Sequence, residues 1–558
     1  MNCRFSPLVR QVLLLASLGV VLHCELASAE EAEVLERGAK LYAEKCLMCH
    51  QPTGLGAPPV FPPLAGSEWV SGDRTRLIKV LCEGLAGKIT VRGQVYDNVM
   101  PAQILDDAEV AAVLTYVGRS WGNKVASFGA EEVALARARS RYKTYAELVK
   151  TAQFQPLPKP PAGWELKELA PLPEFVTRMA GDGRGVYLLG QAGNIYALDQ
   201  KTGVIGKVIS TADYLDAERG DVTTLGMTLG PDGRLWVTSN QKLTKDVPVY
   251  TNEVVIWRSA QPVTGSAGEV KLVPWLTHRY PQGVGGFNHG VSHLAFGPDG
   301  WLYVSSGSRT DGGEIGKFSH YAAVQEVETT ACLWRLDPRA EKPMLEVMAR
   351  GIRNAYAFGW DEAGNLFTFS NGPDYDAGEE MDFIEPGKHY GFPYQYEDWP
   401  VRVGFPYAHT PAAPDGVSFT HPVENVGPDG GFTVGKVART LTPHSSPGGV
   451  VWCGPDVAAP LGGSFLVPRF GNLLAKPEDC GFDLLRVKPR RRADGTWEAE
   501  VHTVLAPLGR PLDSLVLPGG RVLILEYTRP VNFKDRVGWL PGRILELAPT
   551  KREGVRDE

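Results

Sequence analysis

The sequence predicts an α + β chain of two folded parts, a small all-α domain followed by an all-β propeller of six blades. Three observations predict it: apolar residues at helical spacing through about residue 123, a proline-rich break at 155–161, and an Asp-Gly hairpin signature recurring beyond the break. A length of 558 residues is too great for one ordinary core. With 63 Gly and 43 Pro beside 43% hydrophobic residues, the chain is globular and turn-rich, as all-β folds with many hairpins are.

In chain order, residues 1–29 read as a secretory signal peptide. Arg4 and Arg10 precede the apolar stretch Val12 to Leu22, and Ala27-Ser28-Ala29 is a small-x-small cleavage pattern before Glu30. The apolar core is too short to span a bilayer, and no later segment reaches the roughly 20 apolar residues a membrane helix needs. Cys24 follows Val21-Leu22-His23, where His replaces the small residue of a lipid-attachment box. The expectation is a periplasmic protein for which a membrane is not required. Losing two Arg and one Glu with the signal takes the formal charge from −7 to −8, and no basic patch recommends nucleic acid.

Residues 30–125 form the helical domain. Ala32 to Cys46 reads as a helix that ends at Cys46-Leu47-Met48-Cys49-His50. Two thiols at this spacing form thioethers to haem vinyl groups, and the adjacent His50 ligates the iron. Thr75 to Leu85 and Asp106 to Trp121 are two further helices, the last capped by Asp106 or Asp107. Met100 lies 50 residues past His50, in a loop stiffened by Pro101, where its thioether approaches the iron from the opposite face. His/Met ligation raises the reduction potential and leaves no open position, so such a centre transfers electrons. Over Leu41–His50, Pro62–Ser67 and Met100–Asn123 the segment resembles the class I cytochrome c domains, including those joined to quinoprotein dehydrogenases. Cys3 and Cys24 leave with the signal and Cys46 and Cys49 hold haem c, so Cys82, Cys332, Cys453 and Cys480 remain. Cys453 with Cys480, which bracket one candidate hairpin, is the favoured pair in an oxidising compartment.

Residues 126–163 are a charged helical appendage over Ala130 to Lys150 and a stiff tether, Gln155-Pro156-Leu157-Pro158-Lys159-Pro160-Pro161. Residues 164–550 then repeat one hairpin. Leu229-Gly230-Pro231-Asp232-Gly233-Arg234-Leu235-Trp236-Val237 and Phe296-Gly297-Pro298-Asp299-Gly300-Trp301-Leu302-Tyr303-Val304 are its clearest copies. Looser ones start near Ala180, Trp360, Gly454 and Leu517. The Asp-Gly corner supplies the positive φ of a tight hairpin, and six copies suggest six blades closed radially. Ile544-Leu545-Glu546-Leu547 reads as the closing strand, and long inserts such as 374–448 as loops crowding one mouth.

Three segments stand out from this scaffold. They are Phe287 to Leu294, Gly351 to Phe358 with Ser370-Asn371-Gly372-Pro373, and Leu508 to Asp513. They offer an imidazole to take a proton, guanidinium groups to polarise a carbonyl, and a turn rich in oxygen suited to Ca²⁺. Each alone also reads as ordinary loop structure. Together they resemble the glucose/sorbosone dehydrogenase family of PQQ-dependent propellers, most densely in Gly351–Pro393, where Arg353-Asn354, Gly372-Pro373 and Tyr390-Gly391-Phe392-Pro393 carry the likeness. The resemblance implies His289 as catalytic base and Arg353 with Asn354 at the quinone carbonyl. It further implies Gly372 and Pro373 as carbonyl ligands of Ca²⁺, with Arg510 and Arg469 on PQQ carboxylates. Departures from the family pattern are Ser308 where an aspartate usually orients the histidine, leaving Asp311 as its candidate substitute, and Leu512 where an arginine is common.

The reading is a periplasmic quinohaemoprotein dehydrogenase. It would oxidise a sugar or alcohol and pass electrons through haem c to a periplasmic acceptor such as a cytochrome. The alternatives are a haem c carrier whose propeller binds a partner and has lost PQQ, a cytochrome cd1-like nitrite reductase, against which six hairpins rather than eight argue, and another propeller chemistry such as lactone hydrolysis.

Overall fold

Helical capping and strand pairing build two compact units. The computed structural model describes residues 31–138 and 154–550, except 44, 59–60, 86, 99, 101 and 104 in the first span and 245–246, 264–269, 284–287, 314–324, 374–377, 397–411, 430–439, 472–480 and 530–539 in the second. The expected signal peptide, Pro101 and Cys480 lie outside the described residues.

The first unit carries helices α1 (31–43), α2 (Leu47–His50), α3 (Glu68–Ser71), α4 (Arg74–Glu83), α5 (Asp107–Arg119) and α6 (Ala130–Ala138). Asp106 caps α5 in a reciprocal box with Glu109, so two N-terminal backbone donors are satisfied before the helix buries Val110, Val113, Leu114 and Val117. That face packs with Tyr42 of α1 and Leu77, Ile78 and Leu81 of α4 in one core. A short hairpin interrupts the helices, with β1 (Lys88–Val91) antiparallel to β2 (Gln94–Asp97). Its two-residue turn places Arg92 at φ 50° and Gly93 at φ 78°, the left-handed pair that matches strand twist. The sequence reading assigned only helix and loop here, because four-residue strands carry too little alternation to register. Among the described residues no helix is long and apolar enough to cross a membrane.

The second unit is a ring of six sheets. The first two strands of each blade are the six hairpins the sequence displays: Val176–Gly181 with Val186–Gly190, Gly220–Leu229 with Leu235–Leu243, Val291–Phe296 with Leu302–Ser306, Ala355–Trp360 with Leu366–Ser370, Val451–Cys453 with Ser464–Arg469, and Pro511–Leu517 with Arg521–Thr528. In the third, Trp301 N donates to Asp299 Oδ1 (3.1 Å) and Gly300 turns at φ 78°, so both residues of the Asp-Gly signature are used. Among the described residues blade 4 has three strands, and Glu424–Pro428 from the long insert pairs parallel to Trp497–Leu505 at the edge of blade 5.

Ring closure differs from the expectation. Residues 544–547 lie in Pro541–Pro549, the third strand of blade 6, and the closing strand is Trp164–Pro171 from the start of the unit. Trp164 is buried there and its Nε1 donates to Ala459 O (3.0 Å). Cys453 is buried and packed with Trp164 and Leu461, and its favoured partner Cys480 lies outside the described residues.

First strands of neighbouring blades touch around the ring. Arg178 in blade 1 crosses its centre: Nε donates to Leu225 O of blade 2 (3.0 Å), Nη2 to Tyr356 O of blade 4 (2.9 Å), and Nη1 pairs with Asp513 of blade 6 (3.3 Å). At this depth the axis is filled by side chains rather than open.

Candidate functional sites

In the first unit Cys46, Cys49, His50 and Met100 line one cleft with Phe61, Pro62, Trp69, Val91 and Tyr96, enclosing about 970 Å³ that is partly open to solvent. His50 ends α2, and its Nδ1 donates to Pro62 O (3.0 Å), which leaves Nε2 as the lone-pair nitrogen. Burial lowers the His50 pKa from its ordinary value, favouring the neutral ring a metal requires. Met100 is pinned from across the cleft: its N donates to Leu85 O (2.8 Å) and its O accepts from Leu85 N (2.9 Å). Both thiols, an imidazole nitrogen and a thioether thus face one apolar cavity, and this donor set fits a covalently held haem.

In the ring, the residues singled out by sequence occupy the starts of first strands and the ends of second strands. Antiparallel pairing brings these positions to one end of each blade, so they share a mouth. His289 precedes the first strand of blade 3, and Arg353 and Asn354 that of blade 4. Ser308 N donates to Arg353 O (2.7 Å) across the two blades, while His289 N to Ser308 O (2.9 Å) and Asn371 N to Asn354 O (2.9 Å) extend the pairing within blades 3 and 4. Gly307 is what permits the approach, since a Cβ there would lie 2.6 Å from His289 Cβ and 3.1 Å from Asn354 Oδ1.

Arg353, 2% exposed, donates from Nε to Asp311 O (2.8 Å), from Nη2 to Asp311 Oδ1 (2.5 Å) and from Nη1 to Asn371 O (2.9 Å). Asp311 therefore does not replace the missing aspartate at His289. The His289 Nδ1 faces Ser308 Oγ (3.0 Å) and Ser308 O (3.2 Å) instead. Burial drives the His289 pKa down to about 3, the Arg353 charge acts in the same direction, and the Ser308 carbonyl opposes them. The ring is neutral at any physiological pH, as a base must be.

Gly372 follows the second strand of blade 4, one residue past the carbonyl that Arg353 grips. Its N donates to Glu379 Oε2 (2.5 Å), and Ser446 N donates to Glu379 Oε1 (3.0 Å). Burial pushes Glu379 up to about 7, opposed by the Ser446 and Gly372 amides and by nearby His444 and Arg353. Two buried polar atoms here, Asn371 Oδ1 and Tyr396 Oη, have no hydrogen-bond partner among the described residues. An oxygen-rich turn with unsatisfied polar neighbours and a guanidinium fits an anionic cofactor held with a cation. Among the described residues no group of three or more His, Cys, Asp or Glu forms a metal site by itself.

Arg469 and Arg510 lie at the ends of blades 5 and 6 facing the same mouth. Arg469 Nε and Nη2 are paired with the Asp483 carboxylate (2.8 and 2.5 Å). Arg510, 1% exposed, sits between the Phe470 and Phe482 rings at 4.9 and 5.0 Å. Glu379 and Tyr396 are site residues that no sequence signal singles out. They belong to no hairpin or familiar motif, and only a buried acid near a Gly-Pro turn could have flagged Glu379.

Comparison with known proteins gives two family matches, cytochrome c at residues 35–121 and glucose / sorbosone dehydrogenase at residues 264–415. Cytochrome c-552 of Thermus thermophilus is 46% identical over 112 residues, covering 18% of this chain and 85% of that protein. The cytochrome c subunit of alcohol dehydrogenase (quinone) from Gluconacetobacter polyoxogenes is 35% identical over 103 residues, 18% of this chain and 21% of its own length. The structure of the PQQ-bound form of aldose sugar dehydrogenase from Streptomyces coelicolor superimposes with a TM-score of 0.45 at 20% identity, over 70% of this chain and 99% of that one.

Proposed function

We propose, for a chain that belongs to the cytochrome c family through its N-terminal domain, that the ring oxidises a sugar or alcohol and hands the electrons to haem c on the same polypeptide. The observation that carries this reading is the meeting of His289, Arg353 and Asn354 across Gly307, beside the Gly372 turn. PQQ, when bound with Ca²⁺, supplies the two-electron acceptor. Arg353 and Asn354 would hold its carbonyl edge, Gly372 and Pro373 would offer carbonyls to the cation, and Arg510 and Arg469 would be the residues for its carboxylates. His289, uncharged and with Nε2 unpartnered among the described residues, takes the proton of the substrate hydroxyl. Cys46 and Cys49 would hold the haem covalently and His50 and Met100 would ligate its iron, which would supply one-electron transfer. The same reading has the chain exported to the periplasm after cleavage before Glu30, where an acceptor such as a cytochrome drains the haem.

The test uses the purified full chain with added PQQ and Ca²⁺. Aldoses and primary alcohols are screened for reduction of the haem absorption band, and chelation of Ca²⁺ should abolish it. The competing reading is a haem carrier with a binding propeller, favoured by the closed Arg469–Asp483 pair. It prevails if PQQ does not bind and no sugar or alcohol reduces the haem.

A further inference from the structure

His289 is held more closely than the substitution of serine for the usual aspartate suggests. Its Nδ1 faces two oxygens of Ser308, a residue with no measurable exposure. The Ser308 hydroxyl donates its proton to Thr310 O (2.7 Å), so toward the imidazole its oxygen only accepts. Two acceptors at one ring nitrogen set the proton on Nδ1 and the lone pair on Nε2. Thr310, equally buried, is clamped in turn by one carboxylate. Its N and Oγ1 donate to Glu326 Oε1 at 3.0 and 2.5 Å. Arg309 N donates to the same carboxylate at 3.0 and 3.1 Å, and Thr330 Oγ1 to Oε2 at 2.7 Å. The carboxylate therefore fixes the loop whose carbonyl fixes the serine hydroxyl, which fixes the histidine.

We infer that Ser308, Thr310 and Glu326 form the positioning relay of His289, in which a carboxylate holds the Thr310 loop, the Thr310 carbonyl holds the Ser308 hydroxyl, and that hydroxyl joins the Ser308 carbonyl in setting the imidazole tautomer. The inference rests on the proposed role of His289 as base, but its own readout does not need turnover. An imidazole free to choose between tautomers would present Nε2–H part of the time and could not accept a proton then. Glu326 and Thr310 touch neither cofactor nor substrate in this scheme and act only through Ser308.

The test is the ¹⁵N spectrum of histidine-labelled full chain, with His289 assigned by its loss in His289→Gln. The native protein should show a protonated Nδ1 and an unprotonated Nε2. Ser308→Ala and Thr310→Val, which leave the Ser308 carbonyl accepting at Nδ1, should move both signals part of the way toward a tautomer average, while Thr310→Ser, which keeps the hydroxyl, should restore them. Where turnover is measurable, kcat should fall about tenfold to a hundredfold with KM within about twofold, as expected for a mispositioned base. If His289 signals in Ser308→Ala and Thr310→Val match the native ones, the relay is overturned even though sugar oxidation proceeds. If they move while no substrate ever reduces the haem, the relay stands and the dehydrogenase reading falls. Should Thr310→Val fail to fold, Ser308→Ala decides alone.

Discussion

His289 and His293 are both kept neutral by burial, with Arg353 pressing on the first and Arg178 on the second. An imidazole whose folded pKa is about 3 binds a proton only after the unfolded chain has done so near 6.5. Between those values the unfolded state holds more protons, so the His289 contribution to stability is intact above about pH 6.5 and is lost as pH falls toward 3. Glu379 and Asp382, raised by burial to about 7, act in the opposite sense and stabilise the fold as they protonate. The clean measurement is thus a difference. Melting temperatures of the native chain and His289→Gln, followed from pH 7 to pH 4, should converge or cross as acid is added. A constant gap would show that this imidazole takes up its proton as readily in the fold as in the unfolded chain.

The elements that define the ring are hairpins, but the element that closes it is a lone strand. Trp164–Pro171 pairs with Pro541–Pro549 and anchors through Trp164, whose ring is buried in the core of blades 5 and 6 and whose Nε1 satisfies Ala459 O. Trp164→Ala removes that packing and orphans the carbonyl, at a cost of about 3–5 kcal/mol. Denaturant unfolding should show the loss in the tryptophan fluorescence of the ring. The haem domain, with its own core around α5, should keep its absorption midpoint. Equal loss in both signals would mean the two units unfold as one.

For the whole molecule, the chain passes from the first unit to the second between residues 151 and 152, and the proline-rich segment 155–161 opens the second unit. A covalent link between the units holds a donor and an acceptor at an effective concentration on the order of millimolar. A protease site introduced at 156–160 tests its use. Before cleavage, substrate-driven haem reduction should have a rate independent of dilution; after cleavage it should slow in proportion as the protein is diluted through the micromolar range. An unchanged rate after cutting would show that the tether is not what delivers the electrons.

Much of this was legible in the residues because the information was local. Cys46 to His50 is a five-residue run, and Met100 follows in a segment that admits few other roles. Each Asp-Gly hairpin encodes its own turn within about ten residues, so six blades could be counted without knowing how they meet. Contacts between distant residues were decided only by the tertiary structure. Arg178 reaches Tyr356 and Asp513, 178 and 335 positions away, and thereby fills the axis. The partner of His289 is likewise Ser308 rather than Asp311, because the folded loop turns the aspartate onto Arg353. Identity and spacing specify what a short segment can form, whereas which buried charges face each other depends on how six independently encoded hairpins close around one centre.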